Sequence, residues 1–153
     1  KGANSSISLA VTKKAILNVG DKFPAFTATD IEGKQWTEAD IDGKVMVLNL
    51  WFAGCGPCRA EMPELSIWKN EMPDVMFFSA TYESAEVARP IIDKQGFNWS
   101  HLVENTQFKE YVGGNGYPMT IIVDKAGIVS MIEHGTSPTQ RAELKKKIEE
   151  LRK

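Results

Sequence analysis

The sequence is short of metal ligands, of charge imbalance and of long apolar runs. Its 153 residues include only two cysteines, Cys55 and Cys58, and two histidines, His101 and His134. A tetrahedral zinc site needs four nitrogen or sulfur ligands, and the histidines stand apart with no ligand spacing, so no metal centre is expected. Acidic residues outnumber basic ones by 20 to 18, a formal net charge of −2. The lysines and arginines are scattered, without the concentration that attracts nucleic acid or an anionic membrane. No apolar run approaches the ~20 residues of a membrane-crossing helix. The chain has no internal repeat. It opens on Lys1 rather than methionine, as expected of a processed form whose signal peptide or membrane or lipid tether lies upstream of residue 1.

What is present is the mixture of a globular protein, 42% hydrophobic and 25% charged residues. Residues 1–18, "KGANSSISLAVTKKAILN", start polar and alternate weakly, and are expected to form a tether leading into a first strand. Residues 19–153 are expected to form one domain. "FTATDIEGKQW" (26–36) alternates about a Glu32–Gly33 turn and predicts a hairpin. "VMVLNL" (45–50) is nearly all apolar, as in a strand buried on both faces. "VMFFSATY" (75–82) is a second such run, and a helical stretch from about Pro57 to Glu71 joins them into a βαβ unit. A helix over 84–95 and the short run "WSHLV" (99–103) follow. "MTIIVD" and "IVSMIE" flank Lys125-Ala126-Gly127 and predict a second hairpin. The last helix opens at Ser137 as N-cap, with Pro138 at its first position and Gln140 at its third. Leu144, Ile148 and Leu151 form its apolar stripe, and Lys145–Lys147 its solvated face. A βαβ block, a helix, an antiparallel hairpin and a closing helix, together with Cys-x-x-Cys, make the thioredoxin arrangement. The expected fold is therefore α/β: a central mixed β-sheet flanked by helices, with an added N-terminal hairpin and a central helical insertion.

The cysteine pair carries the chemistry. A disulfide between residues three apart closes a tiny loop and removes little chain entropy, so a structural staple is a weak reading. Haem attachment needs a histidine after the second cysteine, where Arg59 stands. A reactive dithiol is left. Cys55 falls at the end of a buried strand, and Pro57 suits the first turn of the following helix. Unpaired N–H groups and the helix dipole at that point favour a thiolate on Cys55, the expected attacking group. Cys58, one turn on, lies beneath it as the resolving thiol. Arg59 either adds positive potential or is plain surface, and the sequence leaves both open.

With these residues in view, the chain resembles the TlpA/ResA group of thioredoxin-fold thiol–disulfide oxidoreductases. The likeness rests on "LNLWFAGCGPCRAEMPEL", the preceding hairpin and "GYPMTIIVD", and spans about residues 20–153. It implies that Trp51, Gly56, Pro57, Tyr117 and Pro118 line the substrate site. Pro118 is expected to be the cis-proline facing the dithiol, with Tyr117 offering backbone to an extended substrate; an ordinary trans proline opening a strand is the alternative. Pro63 corresponds to the proline inside the active-site helix. Two departures stand out. Asn49 occupies the position of the buried aspartate of ordinary thioredoxins, and cannot act as a base. Glu61, three residues after Cys58, matches instead the buried glutamate that assists proton transfer in this group, against the alternative of a solvated first-turn residue. Gly54 replaces the usual aromatic before the nucleophile and is expected to open the groove beside Cys55.

The resemblance implies a bacterial enzyme that cycles Cys55 and Cys58 between dithiol and disulfide with no cofactor. Its expected partners are protein disulfide or dithiol substrates and an unidentified upstream electron donor, with no nucleic acid. It is expected to act as a monomer in the periplasm or cell envelope. Two other readings are a redox-inert binding module using the Pro118 groove and a thiol peroxidase. The latter chemistry wants Pro and Thr ahead of the cysteine, and "WFAG" has neither.

Overall fold

A computed structural model of the protein describes residues 16–153. The expectation for residues 1–18 therefore lies almost wholly outside the described residues; of its last three, Leu17 is buried and none is in a strand.

The sheet is organised by β3 (Met46–Leu50), whose five residues are all buried. It pairs in parallel with β4 (Met76–Ala80) and antiparallel with β6 (Met119–Val123). The outer strands are β5 (Ser100–Leu102), parallel to β4, and β7 (Val129–His134), antiparallel to β6, giving the order β5-β4-β3-β6-β7. Strand side chains alternate between faces. Met46, Leu48 and Leu50 enter one apolar cluster with Phe78 and Ile121; Val47 and Trp51 enter the other with Phe77 and Ile122.

The face bearing Val47 is covered by α1 (Gly56–Glu71), α2 (Ala85–Gln95) and α4 (Pro138–Leu151), through residues such as Met62, Leu65, Ala88, Leu144 and Ile148. The opposite face is covered by the hairpin β1 (Thr27–Thr29) and β2 (Gln35–Thr37) and by the short helix α3 (Lys109–Val112). The hairpin forms its own two-stranded sheet. Its turn is held by buried Asp30, which accepts from the Glu32 and Lys34 N–H groups at 2.8 and 3.0 Å and from the Trp36 indole at 2.9 Å. Gly33 supplies the positive φ of +88°.

The central insertion is the helix α2, and the short run that follows it supplies the edge strand β5. Two short helical pieces, a 3-10 turn at Glu38–Ile41 and α3, add to the expected elements. Helix α4 starts as predicted, with Ser137 Oγ accepting the Gln140 N–H at 3.1 Å. The Gln140 side chain does not close a capping box; it reaches Glu133 Oε1 at 2.9 Å and the His134 carbonyl at 3.0 Å. That ties the helix to β7. No helix among the described residues is long and apolar enough to cross a membrane.

Candidate active site

Cys55 is the N-cap of α1, with extended backbone (φ −88°, ψ 102°). Its Sγ accepts the Cys58 N–H at 3.2 Å, and the two cysteines are joined as a disulfide with Cα atoms 5.3 Å apart. Cys55 keeps 6% of its surface while Cys58 has none, so the first sulfur is the one a partner can reach. Gly56 and Pro57 are exposed beside it. Pro57 sits in the first turn, where a missing N–H costs nothing. Further on, the helix runs through Pro63, which leaves the Arg59 carbonyl without its usual intrahelical donor. Arg59 turns its guanidinium back to the Ala53 carbonyl, so it braces the loop ahead of the nucleophile. Glu83 braces the same loop from beyond the end of β4: its Oε1 accepts the Ala53 N–H at 2.7 Å and the Thr81 hydroxyl at 3.0 Å.

Beneath α1, the strand registers align His101, Ser79, Asn49, Thr120 and Glu133 in one polar row crossing all five strands. Asn49 is fully buried, and its Nδ2 donates to Glu61 Oε2 at 3.0 Å and to Thr120 Oγ1 at 3.2 Å. Glu61 is itself only 4% exposed, so it is not a solvated first-turn glutamate. Burial pushes its carboxyl above the usual carboxylate range; hydrogen bonds from Asn49 and Thr136 and the charge of Arg141 pull the other way, and Glu64 adds to the rise. A carboxyl so placed, on the helix face of Cys58 and one turn beyond it, keeps its proton to higher pH than an ordinary glutamate and is a candidate to exchange one with that thiol.

Trp51, expected to line the substrate site, is only 1% exposed and supports that site from below. Its indole N–H donates to Ser79 Oγ at 3.2 Å; Ser79 lies 2.6 Å from His101 Nδ1, and His101 Nε2 lies 2.7 Å from the Phe97 carbonyl. An indole only donates and a carbonyl only accepts. A neutral imidazole with its hydrogen on Nε2 therefore satisfies every group in the chain. Consistently, burial lowers the His101 pKa to about 4; the Phe97 hydrogen bond opposes the shift.

The groove beside Cys55 differs from expectation. The Tyr117–Pro118 bond is cis, as expected, with Pro118 buried and Tyr117 half-buried. Gly54, however, does not leave open space: a Cβ there would lie 3.1 Å from the Phe52 ring. Phe52 thus occupies the room that a residue at 54 would take, because glycine has no side chain to keep it out. Its ring packs edge-on to Tyr117 at 5.0 Å and stacks near Tyr82 at 6.3 Å. Lys109 Nζ lies 4.6 Å over the Tyr82 ring. Sequence reasoning misses Phe52, Tyr82 and Glu83, although all three follow closely on the C-terminal end of a buried strand, β3 for Phe52 and β4 for the other two, where sites in α/β sheets gather. Among the described residues no cluster of three or more His, Cys, Asp or Glu side chains is placed to hold a metal ion.

The fold and site together define a thioredoxin-fold dithiol protein. A model of the AhpC/TSA family matches residues 19–132, and the chain belongs to that family. Among its relatives is the thioredoxin-like protein YneN of Bacillus subtilis, 26% identical over 138 residues (87% of this chain, 81% of the relative). The thiol-disulfide oxidoreductase ResA of Geobacillus thermodenitrificans is 27% identical over 130 residues, 82% of this chain and 74% of ResA. The likeness to the ResA group read from the sequence is thereby borne out. In structure, the thioredoxin domain of a thiol-disulfide oxidoreductase from Bacteroides vulgatus superposes with a TM-score of 0.75 at 24% identity, covering 90% of this chain and 99% of that one.

Proposed function

We infer that the protein is a thiol–disulfide oxidoreductase acting on cysteines of other proteins, with Cys55 and Cys58 as its redox centre and no cofactor. The observation that carries the reading is the asymmetry of the pair: Cys55 is the reachable N-cap of α1, while Cys58 is buried beside a buried carboxyl.

In the reduced protein the Cys55 thiolate attacks one sulfur of a substrate disulfide. A mixed disulfide forms, and the departing substrate sulfur leaves as a thiolate and takes a proton from solvent. Cys58 then gives its proton to Glu61 and attacks Cys55 Sγ. The second substrate sulfur leaves as a thiolate with the electron pair of the broken bond and takes up a second proton, the one that Glu61 gives back. The substrate has gained two electrons and two protons, and the protein holds the Cys55–Cys58 disulfide. Desolvation disfavours the Cys58 thiolate, which is why a base within reach matters. An upstream dithiol donor restores the reduced state.

The reductive direction is supported by the Gly56-Pro57 pair between the cysteines, the one found in thioredoxin. The substrate lies across Tyr117 and Pro118, with Gly56 and Pro57 on the other side of Cys55 and the Phe52 ring as a wall. The likeness to the ResA group favours a place in the cell envelope, with a tether upstream of residue 1, action as a monomer and envelope proteins such as apocytochromes as substrates. A redox-inert module would have no use for a buried proton acceptor, and a peroxidase would need the Pro and Thr that "WFAG" lacks.

The test is capture. Cys58→Ser should accumulate mixed disulfides on Cys55 that thiol reductant releases, whereas Cys55→Ser should capture none. Equal capture by both variants would refute the assigned order of attack.

A further inference from the structure

The loop from β3 to α1 has to deliver Cys55 to the start of the helix, yet it is poorly equipped to hold itself. Gly54, exposed and without a side chain, stands directly before the nucleophile. Within the loop the Cys55 N–H reaches the Phe52 carbonyl at 3.1 Å. The firmer hold comes from outside and falls on Ala53. Its N–H is accepted by Glu83 Oε1 at 2.7 Å, and its carbonyl receives Arg59 Nη1. The two side chains arrive from different elements, Glu83 from beyond the end of β4 and Arg59 from α1.

Both charges are spent on main chain. Among the described residues neither Glu83 nor Arg59 is in an ion pair. A hydrogen bond with one ionised member is about twice as strong as a neutral one. Glu83 is itself held in place. The Thr81 hydroxyl donates to its Oε1 at 3.0 Å and accepts its N–H at 3.2 Å. The Glu83 carbonyl accepts the Glu104 N–H at 2.8 Å. Glu104 takes a φ of +50°, in the left-handed region that a residue other than glycine enters rarely. The carboxylate therefore reaches Ala53 from a backbone fixed on both sides.

Resting on the reading of Cys55 as the attacking thiol, we propose that Glu83 and Arg59 are positioning residues that grip Ala53 by its two polar ends and supply the anchorage Gly54 cannot. The grip acts on the nucleophile from one side and on the groove from the other. It keeps Cys55 at the N-cap, where the free N–H groups of α1 favour its thiolate. It also keeps the Phe52 ring edge-on to Tyr117, beside the sulfur.

The experiment follows alkylation of Cys55 in the reduced full chain near neutral pH, by iodoacetamide and by a bulky maleimide, in Glu83→Ala and Glu83→Gln. Both variants lack the charge, but the glutamine oxygen can still accept from Ala53 and Thr81, so the difference between them reads the grip alone. Glu83→Ala should react with iodoacetamide about fivefold more slowly than Glu83→Gln, because a displaced N-cap loses its thiolate. Its maleimide-to-iodoacetamide ratio should rise as the Phe52 ring comes loose. A general loosening of the fold would instead speed both reagents. In an Arg59→Met background the gap between the two variants should shrink, since Ala53 is already free at one end. Identical rates in the two variants, faster reaction of Glu83→Ala with both reagents, or a gap undiminished by Arg59→Met overturns the proposal. Capture by Cys58→Ser tests the reading beneath it separately. Failure to capture on Cys55 refutes that reading, while the alkylation rates still decide what Glu83 and Arg59 do.

Discussion

His101→Gln tests the floor of the site through the pH dependence of stability. In the folded chain the His101 pKa falls from 6.5 to about 4, chiefly through burial. In the unfolded chain it returns to the ordinary value. As pH falls through this window, the unfolded chain binds the proton first, so folding loses stability. At about 1.4 kcal/mol per decade, the full gap from 6.5 to about 4 amounts to about 3 kcal/mol, all of it intact above pH 6.5 and gone below about 4. Glu61 works in the opposite sense: its raised carboxyl is protonated first in the folded chain, so acid relieves it. The useful quantity is therefore the difference between wild type and His101→Gln, in which Glu61 is common. Glutamine can still donate to the Phe97 carbonyl but leaves Ser79 without its acceptor, a roughly constant cost of about 1–3 kcal/mol. Urea unfolding of the oxidised proteins from about pH 7.5 to about pH 4 measures both curves. The variant should begin less stable and, as wild type alone loses about 3 kcal/mol on acidification, should draw level with it or pass it near pH 4. A gap that stays constant would mean that His101 is not held neutral by the chain from Trp51 to Phe97.

Glu61→Gln should leave attack by Cys55 almost unchanged but slow release of the mixed disulfide by about 100-fold near neutral pH; stopped-flow release kinetics that match wild type would return the proton to water. Phe52→Ala should raise the rate of Cys55 alkylation by a bulky maleimide more than by iodoacetamide, since it removes the ring beside Gly54; equal acceleration of both would show that the ring does not wall the groove. If Gly56-Pro57 sets the poise as in thioredoxin, equilibration with dithiothreitol should give a reduction potential near about −270 mV, and a value near about −120 mV would make the protein an oxidant.

Features governed by neighbours along the chain are legible in the sequence itself. The apolar run of β3, the Glu32–Gly33 turn and the Ser137-Pro138 start of α4 each follow from a few adjacent residues, and each is present. So is the dithiol, because the helix start that activates it is written in the same segment. Features that depend on residues distant in the chain are not legible. Ser79 and His101 meet because β4 and β5 pair in parallel, and nothing local to "WSHLV" announces a hydrogen-bonded imidazole. Arg141 is separated from Glu64 by 77 residues, and on a helical wheel it looks like any solvated arginine. The expectation for Gly54 fails for another reason: a missing side chain suggests empty space, whereas Phe52, two residues earlier, folds its ring over the vacancy.

The polar row across the sheet also binds the assembly of the fold to the working of the site. Asn49 sits between Leu48 and Leu50, both at 2% exposure or less, whose side chains enter the opposite cluster. A slip of β3 by a single residue would exchange the two faces. It would put a leucine under the Glu61 carboxyl and bury the Asn49 amide among Phe78 and Ile121, with no partner on either side. The native pairing is thus selected twice, once by hydrocarbon and once by hydrogen-bond donors, and a misregistered sheet would be a dead enzyme as well as an unstable one. An insertion or deletion inside β3, β4 or β6 would be read by both criteria at once, whereas one in the hairpin turn at Glu32–Gly33 would be read by neither.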